Sequence, residues 1–424
     1  MTKVLIVSLM DLDGDSMATG AEALKSYIEN YTDINSEIHI ARTAYELLEL
    51  PCHLKEFDVV GFSVPYQETY EVSLKLAQVV KKHNKSVKIV FGGNYATNVA
   101  KNIIKNRHDI VDYVVRFAGE EPFSAIVRGD SPETIPNLVY LDEHNNVKEN
   151  DLSQKEFFGE ILTKTSGPKV MLRSSRGCNN KPRCAFCSVA TTSYNRLTPE
   201  QFIHQIKFHV ENNSDLGEMV IVDDNFITDR SYLDKCAELF VKENIPERVF
   251  LNIYAIPNDF TSEIIPALKA LQVERVIFGC DSGNEDILRS AGKKNTPKEN
   301  IRAAKLACEN DFSIMCSYII LWPGETLEQM LETLNNATII RSFCNKKNIM
   351  LFPVFPLEVL PGSKYFEMLC ERHPEYREMD NINPCSAANH FLRYYYENDK
   401  QYFEMQKHAV KIMKKIDKMT YRPK

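Results

Sequence analysis

The chain has 424 residues, 44% apolar and 26% charged, with a formal net charge of −7, a length that suits two or three domains with a sizeable core. The acidic balance argues against non-specific nucleic-acid binding, no apolar run approaches the ~20 residues needed to cross a bilayer, and no signal-peptide pattern opens the chain. The 11 cysteines are therefore expected to be reduced thiols or metal ligands in the cytoplasm, not a disulfide framework.

Residues 3–8 form a short apolar run, as a buried parallel strand should, and 16–29 read as a helix. Strand 58–63, helix 70–82, strand 87–91, strand 111–117 and a further helix after Gly119-Glu120 follow. This alternation predicts a doubly wound parallel sheet over residues 1–130. Ser63, Gly92, Gly93 and Gly119 fall just after strands. Small residues there let backbone amides approach a bulky ligand at the crevice of the sheet, or they make ordinary strand-to-helix turns. The Pro-containing and polar stretch 131–167 reads as a linker carrying a small hairpin, with Val147 opening its return strand.

Residues 168–173 read as the next strand, and Ser175-Arg176-Gly177-Cys178-Asn179-Asn180-Lys181-Pro182-Arg183-Cys184-Ala185-Phe186-Cys187 follows it. Three cysteines on one polar loop at the carboxyl end of a strand can hold three irons of a [4Fe–4S] cluster and leave the fourth open. Part of a zinc site is an alternative, but structural zinc is closed by four ligands, and no second C-x-x-C or H-x3–5-H lies near. Inert core cysteines are the third possibility.

Thr198-Pro199-Glu200-Gln201 opens a helix. Strand 218–222 runs into Asp223-Asp224-Asn225-Phe226, and helix 231–242, strand 249–254 and helix 262–271 follow. Strand 275–279 runs into Cys280-Asp281-Ser282-Gly283. Helix 297–309, strand 313–321 ending at Trp322-Pro323-Gly324-Glu325, helix 327–340 and strand 350–354 complete about six βα units over 168–365. The expectation is a partial (βα)6 barrel whose carboxyl-end loops build the site. Singly, each polar group after a strand reads equally well as a turn, cap or core residue. In the tail, 366–424, His390, Phe391, Tyr394, Tyr395, Tyr396, Tyr402 and Phe403 cluster. A basic amphipathic helix at 407–418, with Val410, Ile412, Met413 and Ile416 as its apolar side, packs on the barrel or forms a lid.

Ser175-Arg176-Gly177-Cys178 with Arg183-Cys184-Ala185-Phe186-Cys187 resembles the signature of the radical S-adenosylmethionine (SAM) superfamily, in the branch with an N-terminal cobalamin-binding Rossmann-like domain. The Asp-Asp-Asn-Phe, Gly-Cys-Asp-Ser-Gly and Trp-Pro-Gly-Glu-Thr turns are similar to that family's motifs, as are the Asp-Val-Val-Gly-Phe-Ser strand, the Gly-Gly turn and the Gly-Glu turn. The family usually places three residues between its first two cysteines; here there are five. There is no D-x-H-x-x-G stretch, and the Gly-Gly turn continues into Asn94-Tyr95 where proline and histidine are more usual.

The resemblance implies that Cys178, Cys184 and Cys187 ligate a [4Fe–4S] cluster whose open iron chelates SAM. It places SAM against Phe186, Asp223, Asp224, Asn225, Asp281, Ser282, Trp322 and Pro323, and cobalamin against Ser63, Gly92, Gly93, Gly119 and Glu120. An electron from a donor such as flavodoxin or ferredoxin would cleave SAM to a 5′-deoxyadenosyl radical. The implied reaction is methyl transfer from methylcobalamin to an unactivated carbon of a small metabolite or peptide. A radical rearrangement, cyclisation or other group transfer, with or without cobalamin, is the second reading. A non-catalytic zinc or iron–sulfur binding protein is the third.

Overall fold

Two large sheets organise the chain; the computed structural model describes residues 1–9, 19–43, 46–47, 54–191, 193–343 and 348–421. Cys52, Cys344 and the expected first turn of the helix at 16–29 lie outside these residues. The first sheet comprises β1 (Thr2–Ser8), β2 (Ser36–Ala41), β3 (Val59–Ser63), β4 (Lys88–Gly92), β5 (Tyr113–Val115), β6 (Leu138–Leu141) and β7 (Val147–Glu149), in the order β2-β1-β3-β4-β5-β6-β7. Its first five strands pair in parallel and the last two antiparallel. The hairpin expected in the connection is therefore the edge of this sheet, with β6 bonded to β5.

Residues alternate cleanly across the sheet. Val4 and Ile6 join Val59 and Phe123 in one apolar layer, while Leu5 and Val7 join Val60 and Phe62 in the other. Burial on both faces is what parallel strands require, and helices Thr19–Tyr31, Gln67–His83 and Glu120–Arg128 supply the cover.

The second sheet starts at β8 (Lys169–Leu172). A two-residue ladder of β9 (Ser175–Arg176) with antiparallel β10 (Asn195–Arg196) then closes the base of the cysteine loop. The sheet continues through β11 (Glu218–Ile221), β12 (Phe250–Ala255), β13 (Val273–Asp281) and β14 (Ser313–Ile320). Its sixth position is shared by β15 (Met350–Leu351) and β16 (Val354–Pro356), both parallel to β14 and separated by Phe352-Pro353. Proline has no ladder donor to offer at such a break. The array is the partial (βα)6 arrangement expected.

The helices start where side chains cap them. Thr198, Thr296 and Thr326 each accept from the amide three residues on, and Gln201, Glu299 and Gln329 reach back. These are capping boxes readable as T-x-x-E/Q. On β14, Ile314, Cys316 and Tyr318 are buried under helices, with the Tyr318 hydroxyl donating to Asn336 at 2.8 Å. Met315, Ser317 and Ile319 alternate with them and are partly exposed.

The C-terminal extension comprises helices Lys364–Arg372, Pro384–Leu392 and Asp399–Asp417. The last buries Tyr402, Ala409, Ile412 and Ile416, so it packs on the barrel. Val410 points outward at 45% exposure, contrary to its expected place on the apolar side. Tyr421 pairs with Met350, covering the barrel's last edge. No helix among the described residues is long and apolar enough to cross a membrane.

Candidate functional site

The cysteine loop is held at many points. Gly177 has φ +89°, and a Cβ there would stand 2.8 Å from the Ser193 carbonyl, so glycine is required. The Ala185 amide donates to Ala291 O at 2.8 Å, and its carbonyl accepts from Tyr365 N at 3.0 Å. The loop is thus fastened both to the segment after helix Glu285–Ser290 and to the C-terminal extension.

Cys178, Cys184 and Cys187 are free thiols at intermediate burial. Burial raises the pKa of all three, Cys187 to about 11. The Lys293 ammonium works against burial at Cys178 and Cys184. Among the described residues no three His, Cys, Asp or Glu side chains close on one point as a single-ion site requires. The thiols are nevertheless near enough to feel one another's charge. Soft, unbridged sulfurs on one loop, close enough to influence one another, fit an iron–sulfur cluster.

The expected SAM contacts divide into two groups. Asp224 is exposed, and its carboxyl is raised by desolvation and by Asp223; it raises Cys178 and Cys187 in turn, which places it beside the thiols. Asp281 sits at φ +60°, and its Oδ2 lies 2.6 Å from Lys293 Nζ, both side chains about a tenth exposed. Phe186 and Pro323 are partly exposed.

The other four are engaged in bracing bonds within the protein. Asp223 is 2% exposed and accepts from Ser174 N at 2.7 Å, Ser175 N at 3.0 Å and Ser174 Oγ, which fixes the entry to the cysteine loop. Asn225 ties Ile256 N to the Asp259 carboxylate. Ser282 is fully buried against Thr333 and accepts from Asn284 N. Trp322 is also fully buried, donates to Ile319 O at 2.9 Å and meets Phe186 edge-on at 5.3 Å, so the two rings contact each other.

A cavity of ≈ 440 Å³ opens at the carboxyl ends of the first sheet. Ser63, Gly92, Gly93, Gly119 and Glu120 all line it, together with Tyr66, Asn94 and Phe117. Gly93 has φ +99°, and a Cβ would come within 2.9 Å of the Val64 carbonyl.

The opposite wall belongs to the second sheet's loops: Arg173, Arg176 and Ser188-Val189-Ala190-Thr191, the residues directly after Cys187. Asn94 Oδ1 accepts from Ala190 N at 2.5 Å, and Asn98 Nδ2 donates to Ser188 O at 3.0 Å. Among the described lining residues there is no histidine, cysteine, methionine or lysine. Small side chains and bare backbone on one side, and a mainly apolar wall, suit a large planar ligand held without a protein donor to its metal.

Glu120 is 3% exposed and receives Arg173 Nη2 at 2.6 Å and Arg176 Nη2. Burial alone would raise its pKa, but the two guanidiniums hold it down to about 2. Its Oε1 is engaged in this way, while Oε2 has no hydrogen-bond partner. The phenyl ring of Phe158 lies under both arginines, at 5.0 and 5.3 Å.

Sequence reasoning missed Lys293, Asn180, Arg173, Arg176 and the wall 188–191. The arginines and the four small residues flank the cysteines in the chain, a signal of position only. Lys293 follows a helix that the sequence analysis did not predict.

Two family models match these two regions: the B12 binding domain over residues 13–127 and the Radical SAM superfamily over 172–337. The chain is a radical SAM enzyme with an N-terminal B12-binding domain. Its cofactors are a [4Fe–4S] cluster, SAM and cobalamin.

A relative from Pyrococcus horikoshii, described as an uncharacterised methyltransferase, is 24% identical over 364 residues, 80% of this chain and 76% of the relative. The radical SAM methyltransferase TsrM from Kitasatospora setae, solved with tryptophan substrate and a SAM analogue, superposes with a TM-score of 0.72 at 15% identity, over 87% of this chain and 77% of that one. The cobalamin-dependent SAM radical enzyme OxsB, solved with aqua-cobalamin and SAM, gives 0.72 at 15% identity over 97% of this chain and 72% of its own. At such identity the structural likeness speaks for the fold.

Proposed function

We propose that this enzyme is a methyltransferase that methylates an unactivated carbon of a small metabolite or peptide. One observation carries the reading: the stretch 188–191, directly after Cys187, is itself a wall of the cavity in the B12-binding domain. A substrate lodged at that wall lies between the two cofactor sites. When bound, the cluster and cobalamin supply SAM cleavage and methyl delivery.

The chain's own residues prepare for both. Cys178, Cys184 and Cys187 hold the cluster. Asp224 offers a carboxylate to the SAM ammonium, Lys293 offers a cation to its carboxylate, and Phe186 and Asp281 complete the pocket. Ser63, Gly92, Gly93, Gly119 and Glu120 floor the cobalamin cavity. The relative's description and the reaction of TsrM support methylation over rearrangement. An external electron donor of the flavodoxin or ferredoxin kind completes the set.

Anaerobic reconstitution tests the reading. Wild-type protein should take up iron and sulfide in a ratio near one and retain cobalt. It should release S-adenosylhomocysteine from SAM only when loaded with cobalamin. Formation of 5′-deoxyadenosine with no S-adenosylhomocysteine would favour the rearrangement reading. Cys184→Ala should abolish SAM cleavage, and retained 5′-deoxyadenosine would refute the ligand assignment.

A further inference from the structure

The two extra residues between Cys178 and Cys184 lengthen the loop, and Asn180 sits within that longer segment. The residue is 7% exposed. The backbone N–H of Asn180 donates to Cys178 Sγ at 3.4 Å, and its side-chain Nδ2 donates to Cys184 Sγ at 3.1 Å. The second hydrogen of the same amide goes to Gly292 O at 3.2 Å. That carbonyl fixes which way the amide faces: the flipped rotamer would set Oδ1 against the Gly292 oxygen and the Cys184 sulfur with no proton between. One residue therefore aims two N–H groups at two of the three candidate cluster sulfurs, and the carbonyl of Gly292, in the turn after helix Glu285–Ser290, locks it.

We infer that Asn180 is a positioning residue that sets the reduction potential of the cluster, a role resting on the reading above that these cysteines ligate it. The physics is electrostatic. Reduction adds a negative charge that spreads onto the thiolate sulfurs, and an N–H directed at a sulfur stabilises that extra charge more than it stabilises the oxidised cluster. Hydrogen bonds to the sulfurs are among the levers that set iron–sulfur potentials. The bonds come from within the loop, so they are made as the loop folds and need no movement when the electron arrives. Lys293, whose ammonium also faces Cys178 and Cys184, is paired with Asp281 and so adds less net charge. Asn180 is thus the neutral donor that favours electron uptake without drawing a counter-ion into the site.

The test is Asn180→Leu, which keeps the bulk and removes only the side-chain donor, in otherwise intact holoenzyme. Iron and sulfide content should match wild type. The midpoint potential from anaerobic redox titration followed by EPR should move to a more negative value. SAM cleavage should slow with dithionite and recover with titanium(III) citrate, a stronger reductant. An iron-replete Asn180→Leu protein with an unchanged or more positive potential overturns the inference.

If that variant does not assemble its cluster, wild-type protein labelled with ¹⁵N only in asparagine decides the matter. Pulsed EPR of the reduced cluster should then detect two coupled asparagine nitrogens, backbone and side chain, and finding neither overturns the inference. Failure of the wild-type chain to load any cluster sinks the ligand reading instead, so the two failures are distinguishable.

Discussion

Glu120 gives the sharpest quantitative test because it joins the two domains with one buried charge. Glu120→Gln keeps the shape and removes the charge, leaving Arg173 and Arg176, at 14% and 16% side-chain exposure, facing each other without a counter-ion. Two routes give the cost. The carboxyl is held down from 4.5 to about 2, and at ~1.4 kcal/mol per unit that is about 3 kcal/mol. Removing one partner of a buried pair costs about 3–5 kcal/mol elsewhere. Burial and the neighbouring Arg176 push Arg173 down to about 10, so the second guanidinium offsets part of the gain, and the lower figure is preferred.

Urea unfolding of cobalamin-free protein at neutral pH should show the variant ~3 kcal/mol less stable. The sign with pH follows from a depressed carboxyl. The advantage of wild type is fully present above the ordinary value of 4.5, and it is lost as pH falls through about 2. Replacing the three side chains together with apolar ones, Glu120→Leu with Arg173→Met and Arg176→Met, should recover most of the loss. A loss below ~1 kcal/mol for Glu120→Gln, or a gap that widens on acidification, would refute the reasoning.

Neighbouring aspartates should behave oppositely. Asp223→Asn should cost about 1–3 kcal/mol in thermal or urea unfolding, because it points a donor at loop amides, whereas Asp224→Asn should leave stability alone and raise the KM for SAM; the reverse pattern would undo their assignment. Gly93→Ala forces a Cβ at positive φ against the Val64 carbonyl and should cost at least about 1–2 kcal/mol and lower cobalt retention, measured by metal analysis. Asp380 accepts from Tyr70 and Arg107, and although burial alone would raise its carboxyl, those partners hold it below its ordinary value of 3.8. Asp380→Asn should therefore loosen the C-terminal extension from the first sheet, seen as faster proteolysis there at neutral pH. The difference from wild type should shrink once the pH drops below the ordinary carboxylate range.

Strong local patterns were legible. The apolar runs of β1, β3 and β4, the T-x-x-E/Q helix starts and the spacing of the three cysteines each act within a few residues, so their physics is written in consecutive letters. β2 was missed because Ser36-Glu37-Ile38-His39-Ile40-Ala41 is a half-polar edge strand, and helix Glu285–Ser290 because it is shorter than two turns. The bracing bonds of Asp223, Asn225, Ser282 and Trp322 were not legible for a different reason. Their motif positions are right, but whether a polar group after a strand faces a ligand or a neighbouring amide depends on partners far away in the chain. Ser174 lies 49 residues from Asp223 and Thr333 lies 51 from Ser282. No local pattern carries that information. Glu120 shows the same limit, since its charge is balanced only once Arg173 and Arg176 arrive from the second sheet.

The cysteine loop is tied to the first domain at both of its ends. Arg176 at the entrance is bound to Glu120, and Ser188 and Ala190 at the exit are bound to Asn98 and Asn94. A loop so anchored cannot shift by an ångström without disturbing the floor of the cavity, because Asn94 follows Gly93 and Glu120 follows Gly119. The coupling is geometric and requires no conformational change. The turns that carry these anchors are themselves tight: Gly93 and Gly177 both hold positive φ with backbone inside Cβ range, Gly93 against Val64 and Gly177 against Ser193. A side chain at Gly93 would press on Val64 and one at Gly177 on Ser193, distorting the turns that carry Asn94 and Cys178. The space shared by the two sites is thus set by side-chain bonds that join turns whose own backbones are close-packed.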